Sequence, residues 1–339
     1  MAYDQAAGLG SVNVNTLINQ WSTVTFNPTT TTLAISPTTA THGTPLNVAL
    51  SVTANSSTVI PTGVAWLIPS SPYAYLVGDN VVDTFPLDAQ GNFSGVTHLF
   101  PGGAYQVSAH YAEDGTFAPS DSTPPVQVTI APESTSLTFS VLTAGPSGNL
   151  IPFSSGPYGT PVYFQAQLSW PSGYGAPTAY VNFWHNGSGI SSANVNSKGY
   201  AVSLPNSQIP AGPHPITAGY YGDNSFNSSS NLTPIPFTIT QVPTTNTLTS
   251  QQTPQSLLLS ATVSASGLGS PPTGLVSFFN GNMVPGTGYL GNGTTSGGTT
   301  QATATFDGVN WPQGHTASPP AIRATQITRH RIQLQSPSI

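Results

Sequence analysis

His110-Tyr111-Ala112-Glu113-Asp114-Gly115-Thr116-Phe117 returns 109 residues later as Gly219-Tyr220-Tyr221-Gly222-Asp223-Asn224-Ser225-Phe226. Upstream, Gly43-Thr44-Pro45 returns as Gly159-Thr160-Pro161. Pro61-Thr62-Gly63-Val64 returns as Pro177-Thr178-Ala179-Tyr180 and again as Pro272-Thr273-Gly274-Leu275. A fixed order of short motifs at one period means tandem copies of one small unit. Repeated binding or spacing modules fit that pattern better than a single active site does.

The residues around these motifs alternate with the period of a β-strand. Tyr105, Val107, Ala109 and Tyr111 share one face of the strand that ends in the quoted phrase. Leu46, Val48, Leu50 and Val52 do the same after Gly43-Thr44-Pro45. Val162, Phe164, Ala166 and Leu168 repeat that pattern in the second copy. The expected fold class is all-β: tandem immunoglobulin-like β-sandwiches with Greek-key connections, each near the usual size of such a domain. The expected division is a distinct segment at 1–28, repeats at 31–131, 135–241 and 245–325, and a tail at 326–339. The third repeat is incomplete, because the Tyr-x-Gly-Asp-x-x-Phe phrase is missing from it.

Composition narrows the chemistry. Charged residues are 4% of 339, with 34 glycines, 33 prolines and no cysteine. Four Lys and Arg cannot neutralise a phosphate backbone, so nucleic acid is excluded as a partner. Nor do they form a polybasic patch for an anionic bilayer. No apolar run has the length of a membrane helix, so no membrane insertion is expected. Without cysteine there is neither a disulfide framework nor a thiolate metal site. Met1-Ala2-Tyr3-Asp4 has no basic start followed by an apolar run, so any export signal is expected outside this stretch.

Several residues have side chains that could carry chemistry. Asp114 and Asp223 read as Asx-type turn residues, each followed by a phenylalanine, Phe117 or Phe226, that plugs the core. Asp79, Asp83 and Asp88 read as a solvated loop. The seven histidines form no His-x-His or His-x3-His pair, so no metal site is expected. No Gly-x-Ser-x-Gly elbow and no phosphate loop occurs. No catalytic residue and no cofactor is expected. Trp170, Tyr174, Tyr73 and Tyr75 are the candidate ligand-stacking residues, and Trp66, Trp184 and Tyr180 are further aromatics of that kind. Trp66 and Trp184 are expected at equivalent core positions of the third strand. Few carboxylates look paired, which predicts a melting temperature nearly flat with pH in acid.

Two resemblances add to this reading. The opening Thr-Thr-Leu, the Gly-Thr-Pro, the Pro-Thr-Gly and the late Tyr-x-Gly-Asp-x-x-Phe resemble the bacterial immunoglobulin-like repeat family of large secreted and surface proteins. Tyr3-Asp4-Gln5-Ala6-Ala7-Gly8-Leu9-Gly10-Ser11-Val12-Asn13 resembles the end of a sedolisin-type serine-carboxyl peptidase domain. That resemblance implies that Asp4 matches an aspartate helping to bind calcium. The family's catalytic Glu and Asp and its Gly-Thr-Ser turn would lie further upstream. The implied function is a non-catalytic extracellular array that acts as spacer, surface-attachment or polysaccharide- or protein-binding region beside a secreted peptidase. The alternatives are a self-associating surface filament and a fragment of an active peptidase. Expected partners are polysaccharide or a cell-surface protein, with the chain either monomeric or associating edge to edge.

Overall fold

The computed structural model describes residues 25–70, 81–253, 256–280, 283–309 and 322–327. Asp4, Tyr73, Tyr75 and Asp79 lie outside the described residues, as do the segments 1–24 and 328–339. Every regular element among the described residues is a β-strand.

The strands fall in chain order into three pairs of sheets. The first sandwich holds β1 (Thr29–Ser36), β2 (Thr39–Thr41), β3 (Leu46–Ala54), β4 (Val64–Ser70), β5 (Asp83–Pro86), β6 (Asn92–Thr97), β7 (Gly103–Tyr111), β8 (Ser120–Asp121) and β9 (Val126–Ala131). One sheet runs β1-β3-β6, the other β2-β9-β7-β4-β5 with β8 beside β7. The second sandwich holds β10 (Ser136–Ala144), β11 (Leu150–Pro152), β12 (Ser155–Pro157), β13 (Val162–Ser169), β14 (Tyr180–His185), β15 (Ser188–Asn194), β16 (Tyr200–Val202), β17 (Gly212–Tyr220) and β18 (Ser229–Thr240). Its sheets run β11-β10-β13-β16 and β12-β18-β17-β14-β15. The third holds β19 (Thr244–Gln252), β20 (Ser256–Ser266), β21 (Leu275–Asn280), β22 (Met283–Tyr289), β23 (Thr294–Ser296), β24 (Thr299–Val309) and β25 (Ile322–Ile327). Its sheets run β19-β20-β24-β23 and β22-β21-β25.

In the first two sandwiches the opening stretch of chain serves both sheets. β1 pairs antiparallel with β3, and three residues later β2 pairs in parallel with β9. β10 and β12 repeat this against β13 and β18. The swap joins the sheets at one edge and leaves less unpaired backbone there.

The alternation builds the cores. Leu46, Val48 and Leu50 of β3 meet Leu67 of β4 and Val107 and Ala109 of β7 in one buried cluster. Phe164 and Leu168 of β13 meet Phe183, Ile216 and Phe237 in the second. Among the described residues the third sandwich has a smaller cluster than either of these, around Leu259, Val263, Val276 and Phe278. Among the described residues no strand covers the free side of β25, where β9 and β18 stand in the other two sandwiches.

The strand registers correct one expectation. Ala65 pairs with Tyr111, and Val181 pairs with Tyr220, so these residues are equivalent. Trp66 therefore corresponds to Asn182, and Trp184 to Ile68, two residues away from the expected overlay. The phase set by the tyrosines turns Leu67 and Phe183 inward, both fully buried. Trp66 and Trp184 point to the outer face and are half-buried rather than core residues.

Candidate functional site

The two copies of the quoted phrase build the same turn. Asp114 Oδ1 accepts the Thr116 and Phe117 amides at 3.0 and 3.1 Å, while Oδ2 accepts the Thr62 amide and hydroxyl, both at 3.0 Å. Asp223 repeats this with Ser225, Phe226 and Thr178, and also accepts the Tyr220 hydroxyl at 3.0 Å. Burial pushes both carboxyls up, but the donated hydrogen bonds outweigh it and hold them below the usual carboxylate value. Burial first, then the adjacent Asp114, pushes the Tyr111 phenol up to about 12. Burial and Asp223 raise Tyr220 in the same order. The Asx-turn reading thus describes the geometry, with Phe117 and Phe226 buried behind it. The expectation that few carboxylates are paired fails here, because turn amides occupy one oxygen of each and a threonine amide and hydroxyl the other. Asp88 likewise accepts the Gln90 and Asn92 amides.

A second carboxylate cluster joins the first two sandwiches. Glu133 sits in the connection between them, with 4% of its surface exposed. Its backbone exchanges hydrogen bonds with Ser225 and Asn227 of the second sandwich. Its Oε1 lies 2.7 Å from His42 Nδ1 of the first sandwich and accepts Ser172 Oγ–H at 2.6 Å. Its Oε2 accepts the Ser172 amide at 3.1 Å. His42 also meets the Phe226 ring edge-on at 4.8 Å. Ser, His and Glu are the residue types of a hydrolytic triad, but the wiring is not a relay. A nucleophilic serine must give its proton to the imidazole. Here Ser172 gives it to the carboxylate, and the arrangement serves to lock a junction.

Two of the candidate stacking residues belong to this junction. Tyr174 stacks on His98 of the first sandwich at 4.1 Å with the rings 5° from parallel. Trp170 packs edge-on against Phe226 and donates Nε1–H to the Tyr174 carbonyl at 3.2 Å. Gly102 donates its amide to Ser225 Oγ across the same gap at 2.9 Å. The loop sequence gives no sign of the contacts to His98, Phe226 and Ser225, since those partners are remote in the chain.

The second and third sandwiches meet through the equivalent surfaces with other chemistry. Tyr158 follows β12 as His42 follows β2. Its hydroxyl accepts the Ser270 amide at 2.9 Å, and its ring lies against Gly269. Val242 stands where Glu133 stands in the first connection, four residues beyond the strand residue paired with the switched segment. No acid is present there.

On the outer face of the second sandwich three aromatics converge. Tyr221 lies edge-on to Tyr180 at 6.5 Å and to Trp184 at 6.3 Å. Tyr221 and Tyr180 are 66% and 47% exposed. The Trp184 ring covers Gly219, where any side-chain carbon would come within 2.9 Å of the indole. The matching face of the first sandwich carries Trp66 over His110 at 5.6 Å, and His110 pairs with Asp121 at 2.8 Å. Among the described residues no group of three His, Asp or Glu is placed to hold a metal ion, and no helix is long and apolar enough to cross a membrane.

Against known proteins, the sequence profile described as bacterial Ig-like domain (group 3) matches residues 31–131 and 152–240, more than half of the chain. No curated protein matches. Among solved structures, the Escherichia coli adhesin FdeC shares 13% identity and a TM-score of 0.29, over 86% of this chain and 95% of that one. The FN1–FN3 domains of chicken CNTN1 share 15% identity and a TM-score of 0.27, over 89% and 98%.

Proposed function

The chain belongs to the bacterial Ig-like domain (group 3) family, and from that premise we propose that it is a non-catalytic extracellular spacer with divisions at 131–135 and 241–245. Its role is to hold a surface-attachment face at a set distance and orientation from whatever it is joined to. The resemblance of residues 3–13 to the end of a sedolisin-type domain supports a secreted peptidase as that neighbour, with this chain as its accessory region.

The observation that carries the spacer reading is Glu133. A flexible tether needs no buried carboxylate, and burying one is unfavourable unless donors meet it. Here three donors do so, two of them from a loop of the second sandwich and one from the first. The connection is short and already bound into the second sandwich by its backbone. Such a joint transmits orientation, which a spacer requires and a passive linker does not.

The chain has no cysteine, so spin labels can be placed at will. Ser94→Cys in β6 and Thr138→Cys in β10 put labels on exposed positions of the first two sandwiches. Pulsed electron spin resonance should give one narrow distance distribution, and Glu133→Ala should broaden it. A broad distribution in the chain with Glu133 intact would overturn the spacer reading.

A further inference from the structure

We infer that Trp184, Tyr180 and Tyr221 form a stacking platform for neutral polysaccharide on the outer face of the second sandwich. This rests on the surface-attachment reading and names the face that does the attaching.

Exposed aromatic faces are costly to leave in water, and a cluster of them marks a contact surface. Their chemistry suits the C–H faces of sugar rings, which are apolar over an area matching one aromatic ring. The sheet register fixes what surrounds them, because directly paired residues share a face. Asn182 pairs with Ser192 on one side and with Gly219 on the other. Asn194 lies opposite Tyr180, Thr217 opposite Trp184, and Ser230 opposite Gly219. The flanks therefore offer hydroxyls and amides, which donate to and accept from sugar hydroxyls. None of these positions carries a charge. An acidic glycan would find no cation there to offset the loss of water around its carboxylates.

Gly219 is the second, independent observation. Its backbone is ordinary extended strand, so no turn geometry requires a glycine there. What a side chain there would meet is the outer edge of the Trp184 indole, which would have to move off the sheet. A strand-interior glycine is unfavourable and marks a close approach. Here it lays the Trp184 ring over the sheet beside Tyr221. The first sandwich has His110 at the equivalent position, and Val64, Ile68 and Ala112 in place of the three aromatics. The first sandwich therefore lacks the platform.

The test is affinity gel electrophoresis of the full chain in gels cast with soluble β-glucan, mannan or xylan. An acidic polysaccharide serves as a fourth probe. At least one neutral gel should retard the chain. Trp184→Ala and Tyr221→Ala should each weaken that retardation at least fivefold, and Gly219→Val should weaken it by lifting the indole. Tyr221 is largely exposed, so Tyr221→Ala should melt at the parent temperature, which separates lost binding from lost folding. No retardation by any neutral gel, retardation by the acidic probe alone, or retardation untouched by Trp184→Ala and Tyr221→Ala would overturn the proposal. None of these variants touches Glu133, so the label distances across the first junction test the spacer reading separately.

Discussion

Glu133 Oε1 and His42 Nδ1 lie 2.7 Å apart across two sandwiches, and 91 residues of chain separate them. The contact requires the imidazole proton on Nδ1 whenever the ring is neutral. It also joins the entry residue of the second sandwich to the residue after the sheet switch of the first.

Removing the carboxylate should therefore uncouple the two sandwiches. Glu133→Ala leaves the half-buried Ser172 amide and hydroxyl and the buried His42 imidazole without their acceptor. Breaking a buried pair from one side typically costs about 3–5 kcal/mol. Calorimetry should show the first two sandwiches melting as one cooperative transition in the parent and as two in Glu133→Ala. Glu133→Gln keeps a carbonyl acceptor and should fall between them. Two separate transitions already present in the parent would mean the junction carries no coupling.

The turn acids were legible in sequence and the junction acid was not, for a physical reason. Asp114 and Asp223 each bond amides two and three residues ahead, so that half of the motif is local and recurs intact, while Thr62 and Thr178, 52 and 45 residues away, recur in the Pro-Thr phrase. Glu133 meets partners 39 and 91 residues away. Its counterpart in the next connection is Val242, so repetition gives no warning. The tryptophans were misplaced for a different reason. An overlay of the two indoles suggested equivalent core positions on the third strand, but strand phase is set by Tyr111 and Tyr220, which are two residues out of step with that overlay. Tyr221 carries no such signal in sequence, because it lies one residue past the end of β17 and becomes part of a site only through contact with Tyr180 and Trp184.

His214 has a repairable defect. Its Nε2 bonds the Pro210 carbonyl at 2.7 Å, while its buried Nδ1 has no partner. Tyr105 occupies the matching place in the first sandwich, where its hydroxyl donates to the Gly102 carbonyl at 3.1 Å. His214→Tyr should keep the bond and remove the orphan nitrogen. The expected gain is ~1 kcal/mol, read as a raised urea midpoint, with an unchanged slope, for the transition that the first two sandwiches share. A lowered midpoint would show that the pocket beside His185 cannot take the longer ring.

The third sandwich should be the first to open. Among the described residues its buried cluster is smaller than those of the other two, and nothing pairs with the outer side of β25. An unpaired strand and a thin core both lower the free energy of local opening. Limited trypsin digestion should therefore cut after Arg323, within β25, before Lys198, which sits in an exposed turn of the second sandwich. Calorimetry should assign the lowest transition to the third sandwich. Cleavage at Lys198 ahead of Arg323 would refute this ordering.

Acid should weaken the first two sandwiches in a window that the turn aspartates define. Both carboxyls are held below their ordinary value, so the folded chain takes up protons less readily than the unfolded one. Their stabilisation is complete above the unfolded value of about 3.9 and is lost as pH falls through the lowered folded value. His185 acts earlier. Burial, then the neighbouring His214, lowers its value, so stability begins to fall once pH drops below about 6.5. The melting temperature should therefore step down twice between pH 7 and pH 2, rather than stay flat as the low charge alone suggests. Asp114→Ala with Asp223→Ala should lower the midpoint at pH 7 and remove most of the step below pH 4. The step nearer neutrality should remain, since His185 is untouched. An equally steep fall below pH 4 in the double variant would show that the turn aspartates do not carry the acid sensitivity.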